Sequence, residues 1–138
     1  MCDYVGTAEE YAAALRRDTD QYWQELVDPQ RWSSERGGSF SFLDATSFRY
    51  YLAPAMCQCL PDDSHDLSLR FALTLPDAEE SDRVSYRLNQ WSALTAVQRH
   101  CVANFVRFKA KREADSVRSF EPSVAEWQVA LIRYWAQF

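Results

Sequence analysis

The sequence predicts an all-α fold, an irregular bundle of five to six helices with room for one minor two-stranded β element. Three observations carry this expectation. Three S/T-x-x-E/Q capping boxes each open a helical apolar pattern. Only 3 glycines and 5 prolines occur in 138 residues, too little turn punctuation for a many-stranded sandwich or barrel. The composition, 47% hydrophobic, 14% aromatic and 25% charged, is that of an ordinary globular chain. The length suits one domain, so residues 1–138 are read as a single helical domain.

The first box, Thr7 to Glu10, opens a stripe through Tyr11, Leu15, Tyr22 and Leu26 that ends at Asp28-Pro29, which predicts a helix over about residues 8–27. Ser33 to Ser39, with Gly37-Gly38, reads as a loop. Asp44 is an N-cap candidate for a helix carrying Phe48, Tyr51, Leu52 and Met56, with Pro54 breaking it near Ala53. From Leu67 to Leu75 the apolar residues alternate as in a strand, and such a strand could pair with Phe40 to Leu43. Leu67, Phe71 and Leu75 also fit a helix. The helix is preferred, because one two-stranded sheet alone is marginal.

A further helix is expected from about Ala78 to Gln90, with Val84, Leu88 and Trp91 on its buried face. The second box, Thr95 to Gln98, leads into Val97, Cys101, Phe105 and Phe108 as the core stripe, with Val102 widening it and His100, Asn104, Arg107 and Lys111 opposite. The third, Ser123 to Glu126, opens a helix running to Phe138. Its stripe of Val124, Trp127, Leu131, Tyr134, Trp135 and Phe138 is flanked by Val129 and Ile132, which point elsewhere. A helix this apolar is either enclosed by the domain or covers a partner.

Composition excludes several functions. No glycine-rich loop is present to cradle a phosphate. The net charge of -5 argues against a nucleic-acid binder and favours basic partners. No apolar run approaches the roughly 20 residues that span a bilayer, and the start lacks the features of a signal peptide. A cytoplasmic location without membrane contact is therefore expected. Cys2, Cys57, Cys59 and Cys101 suggest reduced thiols rather than a metal site, since positions two apart diverge by about 200° on a helix. His100 and Cys101 are adjacent and point about 100° apart, so they form no dyad. His65 lies in a polar turn. No catalytic, cofactor or metal residues are assigned.

Residues 1–98 hold 8 basic and 16 acidic side chains, a net of -8, whereas residues 99–138 hold 7 and 4, a net of +3. Much of the acid falls in two patches, Asp62, Asp63 and Asp66, then Asp77, Glu79, Glu80 and Asp82, with an apolar element between them. These seven carboxylates, with Val129 and Ile132, are the candidate partner-binding residues.

Phe40-Ser-Phe-Leu43, Phe48-Arg-Tyr-Tyr-Leu52 followed by Pro54-Ala55, and Trp91-Ser-Ala-Leu-Thr95 with Gln98, Val102 and Phe105 together resemble an uncharacterised bacterial family of small domains, across roughly residues 40–108. Members of that family carry proline directly after the Tyr-Tyr-Leu string, where this chain has Ala53. The resemblance implies a helical domain with Phe48–Leu52 facing the core, and it implies no catalytic residues.

The leading functional expectation is a non-enzymatic binding protein, an immunity protein that neutralises a bacterial toxin by covering its basic active-site region. Plugging by an aromatic-rich helix and capping by the acidic patches are the two open mechanisms. The alternatives are an enzyme of unrecognised type and a homo-oligomeric scaffold or regulatory subunit, with the C-terminal helix as a homodimer interface.

Overall fold

In the computed structural model, which describes residues 23–27, 40, 43–61, 67–116 and 126–138, helix α1 (Ala45–Cys59) begins where Asp44 predicts it. Asp44 is extended, and its carboxylate accepts from the Ser47 backbone amide at 2.8 Å. That bond holds the Asp44 carboxyl below its ordinary range. Phe48, Tyr51, Leu52, Ala55 and Cys59 form one buried stripe, so the Phe-Arg-Tyr-Tyr-Leu string faces the core as expected. The expected break near Ala53 does not occur, and α1 continues through Pro54 as one helix. Proline inside a helix costs about 3 kcal/mol. Apolar residues buried on both sides of Pro54 hold the helix across it, each contributing about 1.5–3 kcal/mol for a large side chain.

Of the helix expected over residues 8–27, only 23–27 are described, and they form a tight 3-10 turn, Trp23–Val27, rather than an α-helix. Leu26 is its buried residue. Gln58 of α1 donates to the Val27 carbonyl at 2.7 Å and fixes the turn against α1. The boxes at Thr7 and Ser123 and the Ser33–Ser39 loop lie outside the described residues.

Helix α2 (Leu67–Leu73) settles the alternation in favour of a helix. Among the described residues there is no strand. A seven-residue helix is too short to stand alone, and tertiary donors cap its end. The Trp91 indole donates to the Ala72 carbonyl at 3.3 Å, and the Trp135 indole to that of Leu73 at 2.8 Å.

Helix α3 (Ser81–Ser92) starts three residues later than expected, and of the expected apolar face only Trp91 is fully buried. Arg87, Gln90 and Trp91 are buried, while Val84 is half-buried and Leu88 exposed. The reason is a polar anchor. Gln90 donates to the Leu43 and Phe40 carbonyls, and Arg87 donates to the Gln90 side chain at 2.8 Å, tying α3 to the entry of α1.

Helix α4 (Ala96–Ser116) is the longest and begins at the predicted box. The Gln98 amide donates to the Thr95 hydroxyl at 3.2 Å and the Thr95 amide to the Gln98 side chain at 2.9 Å. Its core face is rotated from the expected one. Val102, Ala103, Phe105, Val106, Lys109 and Ala110 are buried, whereas Val97, Cys101 and Phe108 are exposed. The apolar residues of α4 surround the helix, so their spacing alone did not select the side that meets the neighbouring helices.

Helix α5 (Glu126–Arg133) and a 3-10 turn (Trp135–Gln137) replace the single helix expected to reach Phe138. Tyr134 leaves the helical region at φ -149° and ψ -50° and separates the two. The change of direction lets Trp127 and Trp135 both be buried. The α5 N-terminus is capped from α4: Glu113 accepts from the Glu126 and Trp127 amides at 3.1 and 3.0 Å. The Glu126 amide is the one a Ser123 cap would take.

Helix α4 therefore serves both neighbours with its last turns. Lys109 and Arg112 donate to the carbonyls of Cys59, Leu60 and Pro61 at the end of α1. Cations are favoured at a helix C-terminus and a carboxylate at an N-terminus.

Candidate functional site

Helix α2 has apolar residues on two faces. Leu69, Ala72 and Leu73 point into the core, while Leu67 and Phe71, two positions from Leu69 and about 200° around the helix, are 68% and 52% exposed. Helix α5 packs beside α2 and behaves likewise: Trp127 and Ala130 are buried, Val129 is half-buried and Ile132 is 69% exposed. Between the two helices lies a recess of about 240 Å³, lined by Leu67, Arg70, Phe71, Thr74, Glu126 and Val129.

A second recess of about 180 Å³ shares Phe71 and Thr74 with the first and continues over Leu75, Pro76, Asp77, Glu80, Arg83 and Arg133. The two recesses adjoin at Phe71 and Thr74 and are referred to together as the α2–α5 groove. Its floor is braced by the Arg133 guanidinium, which donates to the Leu75 carbonyl at 2.9 Å and to Asp77 at 2.6 Å. Beneath Phe71 the Arg87 guanidinium lies 5.5 Å from the ring centroid, an arrangement in which the ring face attracts the cation. Burial depresses the Arg87 pKa below its ordinary value.

The groove's charges are balanced. Arg70 pairs with Glu126, Arg83 with Glu80 at 2.5 Å and Arg133 with Asp77 at 2.6 Å. Three cations and three carboxylates leave the lining neutral within a chain of net charge -5.

The structure thus brings together residues from two separate expectations. Val129 lines the first recess, Ile132 lies one turn further along α5, and Asp77 and Glu80 line the second recess. Glu79 and Asp82 are exposed on the same segment, with no ion pair among the described residues. Asp62, Asp63 and Asp66, and with them His65, lie outside the described residues. The sequence reading did not name Leu67 and Phe71 as site residues. Two i,i+4 pairs on opposite sides of a helix, Leu69 with Leu73 and Leu67 with Phe71, were the available signal.

Cys2 lies outside the described residues, and among them Cys57, Cys59, Cys101 and His100 are not gathered into a site. Cys59 is buried, Cys57 half-buried and Cys101 exposed, all three as free thiols. The exposed His100 ring makes an edge contact with Phe138 at 6.2 Å. No cluster of three or more His, Cys, Asp or Glu able to hold a metal occurs among the described residues.

Over residues 1–138 the sequence matches the family described as a family of unknown function (DUF6714). The chain belongs to that family. The DUF6714 match extends beyond the strings between Phe40 and Phe105 that carried the resemblance. No curated protein and no solved structure matches the chain. For this DUF6714 protein the site must therefore be read from its own geometry. No helix among the described residues is long and apolar enough to cross a membrane.

Proposed function

We propose that this protein acts by binding, as an immunity protein that neutralises a bacterial toxin, with the α2–α5 groove as its contact face. The observation that supports this reading most is that Leu67 and Phe71, each more than half exposed, line an open recess with Val129, while Ile132, one turn along α5 from Val129, is exposed as well. Exposed apolar surface of this kind gains about 25 cal/mol per Å² when a partner covers it, and such surface marks interaction sites on other proteins. The neutral lining favours plugging by apolar side chains over capping by acid. The net charge of -5, with Glu79 and Asp82 exposed near the groove, favours a basic partner by steering its approach.

The test is affinity capture from the native cell extract, with the wild-type chain compared with Leu67→Asp and Ile132→Asp. Wild type should retain one stoichiometric partner whose toxic activity is lost in the equimolar complex, and both variants should release it. The association rate should fall with added salt while the groove variants act on dissociation. A partner held equally by all three chains, or one whose activity survives in the complex, overturns the reading.

A further inference from the structure

We infer that Arg87 is the receptor for one carboxylate of the partner, carried beside the apolar group that enters the α2–α5 groove. This rests on the reading that a partner covers the groove, and not on that partner being a toxin. The groove lining is neutral, but a cation lies beneath it. Arg87 is 4% exposed and sits one turn along α3 from Arg83, on the same side of the helix. With it, the guanidiniums of Arg70, Arg83, Arg133 and Arg87 stand against only the carboxylates of Glu126, Glu80 and Asp77, each of which is already paired with one of the other arginines. Glu79 and Asp82 are exposed, and neither forms an ion pair among the described residues.

Buried charges are as a rule paired, and arginine does not escape the cost by losing its proton. The Arg87 guanidinium has one neutral acceptor, the Gln90 side-chain oxygen, 2.8 Å from Nη1. Its Nε is buried with no acceptor, and Nη2 makes no hydrogen bond among the described residues. Nε and Nη2 are the edge through which a guanidinium takes a carboxylate by two parallel hydrogen bonds. That edge is held in place, because Gln90 is itself fixed by donating to the Phe40 and Leu43 carbonyls. The Phe71 ring lies over the guanidinium and lines both recesses. The ring is half exposed, so an anchor that turns it aside brings the unbonded edge to the partner. A basic partner can carry this acid at its contact, since net charge steers the approach and a single carboxylate fixes the docked position.

The test is titration of the full chain, at constant ionic strength, with isocaproate, an acid with a leucine-like apolar end, and with its neutral amide. Binding is followed by NMR at the side-chain Nε–H of Arg87. Isocaproate should shift that resonance saturably, and isocaproamide should bind about tenfold more weakly, as loss of a charge-assisted pair implies. In Arg87→Met, which keeps the stem volume, acid and amide should bind alike. Thermal melting reports whether this variant folds; if it does not, the wild-type resonance and the ratio of acid to amide affinity decide.

Equal binding of acid and amide by wild type overturns the inference. So does acid that binds without moving the Arg87 resonance, a preference for acid that survives in folded Arg87→Met, or binding of neither probe. If the acid binds as expected but no toxin is captured, only the proposed function falls; if a toxin is captured equally by wild type and Arg87→Met, only the carboxylate receptor falls.

Discussion

Lys109 occupies a position lysine almost never takes, being 1% exposed in the interior of the bundle. Its ammonium donates to the Cys59 carbonyl at 2.9 Å and lies 5.9 Å from the Trp127 ring centroid. The charge thus meets a helix C-terminus on one side and an aromatic face on the other. Lys109→Met keeps the stem volume but removes the donor from the Cys59 carbonyl. An orphaned buried acceptor costs about 1–3 kcal/mol. Chemical denaturation should therefore show a lower midpoint with little change in slope. Asp44 permits a pH test. Its pKa in the folded chain is depressed by the Ser47 amide, so its contribution to stability is present above the ordinary value of 3.8 and is lost as pH falls through the lower folded value. Asp44→Asn keeps an N-cap acceptor without the titration, whereas Asp44→Ala should cost about 1 kcal/mol at neutral pH. The wild-type advantage over Asp44→Ala should shrink in acid, and the advantage of Asp44→Asn should not.

Each helix of the fold was legible to the extent that its signal was local. The Asp44 cap and the Thr95–Gln98 box act within a few residues, and both form as the sequence implies. The face each helix buries depends on its neighbours and was harder to read. Gln90 and Arg87 turn inward because backbone carbonyls at Phe40 and Leu43 lie 50 and 47 positions from Gln90, a partnership no periodicity can reveal. In α4, residues 102, 105, 106 and 109 share the buried side, and a lysine among them masks the apolar pattern. The groove was half legible: Val129, Asp77 and Glu80 were named from the sequence as partner-binding candidates and line it, whereas Leu67 and Phe71 were not named. The cap of α5 was likewise invisible, since Glu113 reaches it from 13 and 14 residues away. Glu113→Ala should fray that helix. Two amides lose a charged acceptor, at a cost of about 1–2 kcal/mol for a cap of this kind. Amide exchange in residues 127–131 should accelerate more than exchange in the middle of α4, and equal acceleration throughout would place the effect elsewhere.

Over the whole molecule, α4 fastens α1 through Lys109 and Arg112, α5 through Glu113 and Phe138 through Arg107, which donates to its carbonyl at 3.2 Å, while α3 ties α2 and the entry of α1 through Trp91 and Gln90. A fold whose helices share one set of fastenings should open as a unit. Urea unfolding followed by tryptophan emission, to which the buried Trp91, Trp127 and Trp135 contribute along with Trp23 and Trp32, should coincide with the expansion seen by small-angle scattering. An earlier change in emission that persists in the Trp23→Phe, Trp32→Phe double variant would mean that the α2–α5 side opens separately. The tryptophans have an optical consequence of their own. The Trp91 and Trp135 rings lie 4.9 Å apart and are inclined at 53°. Two indoles so close and so obliquely set share their electronic excitation, and exciton coupling of this kind produces paired bands of opposite sign in circular dichroism. One band would fall among the helical bands and distort any helix content taken from them. It would also vanish when the final 3-10 turn leaves α3, so that a spectrum recorded for routine purposes would report whether the end of the chain is docked.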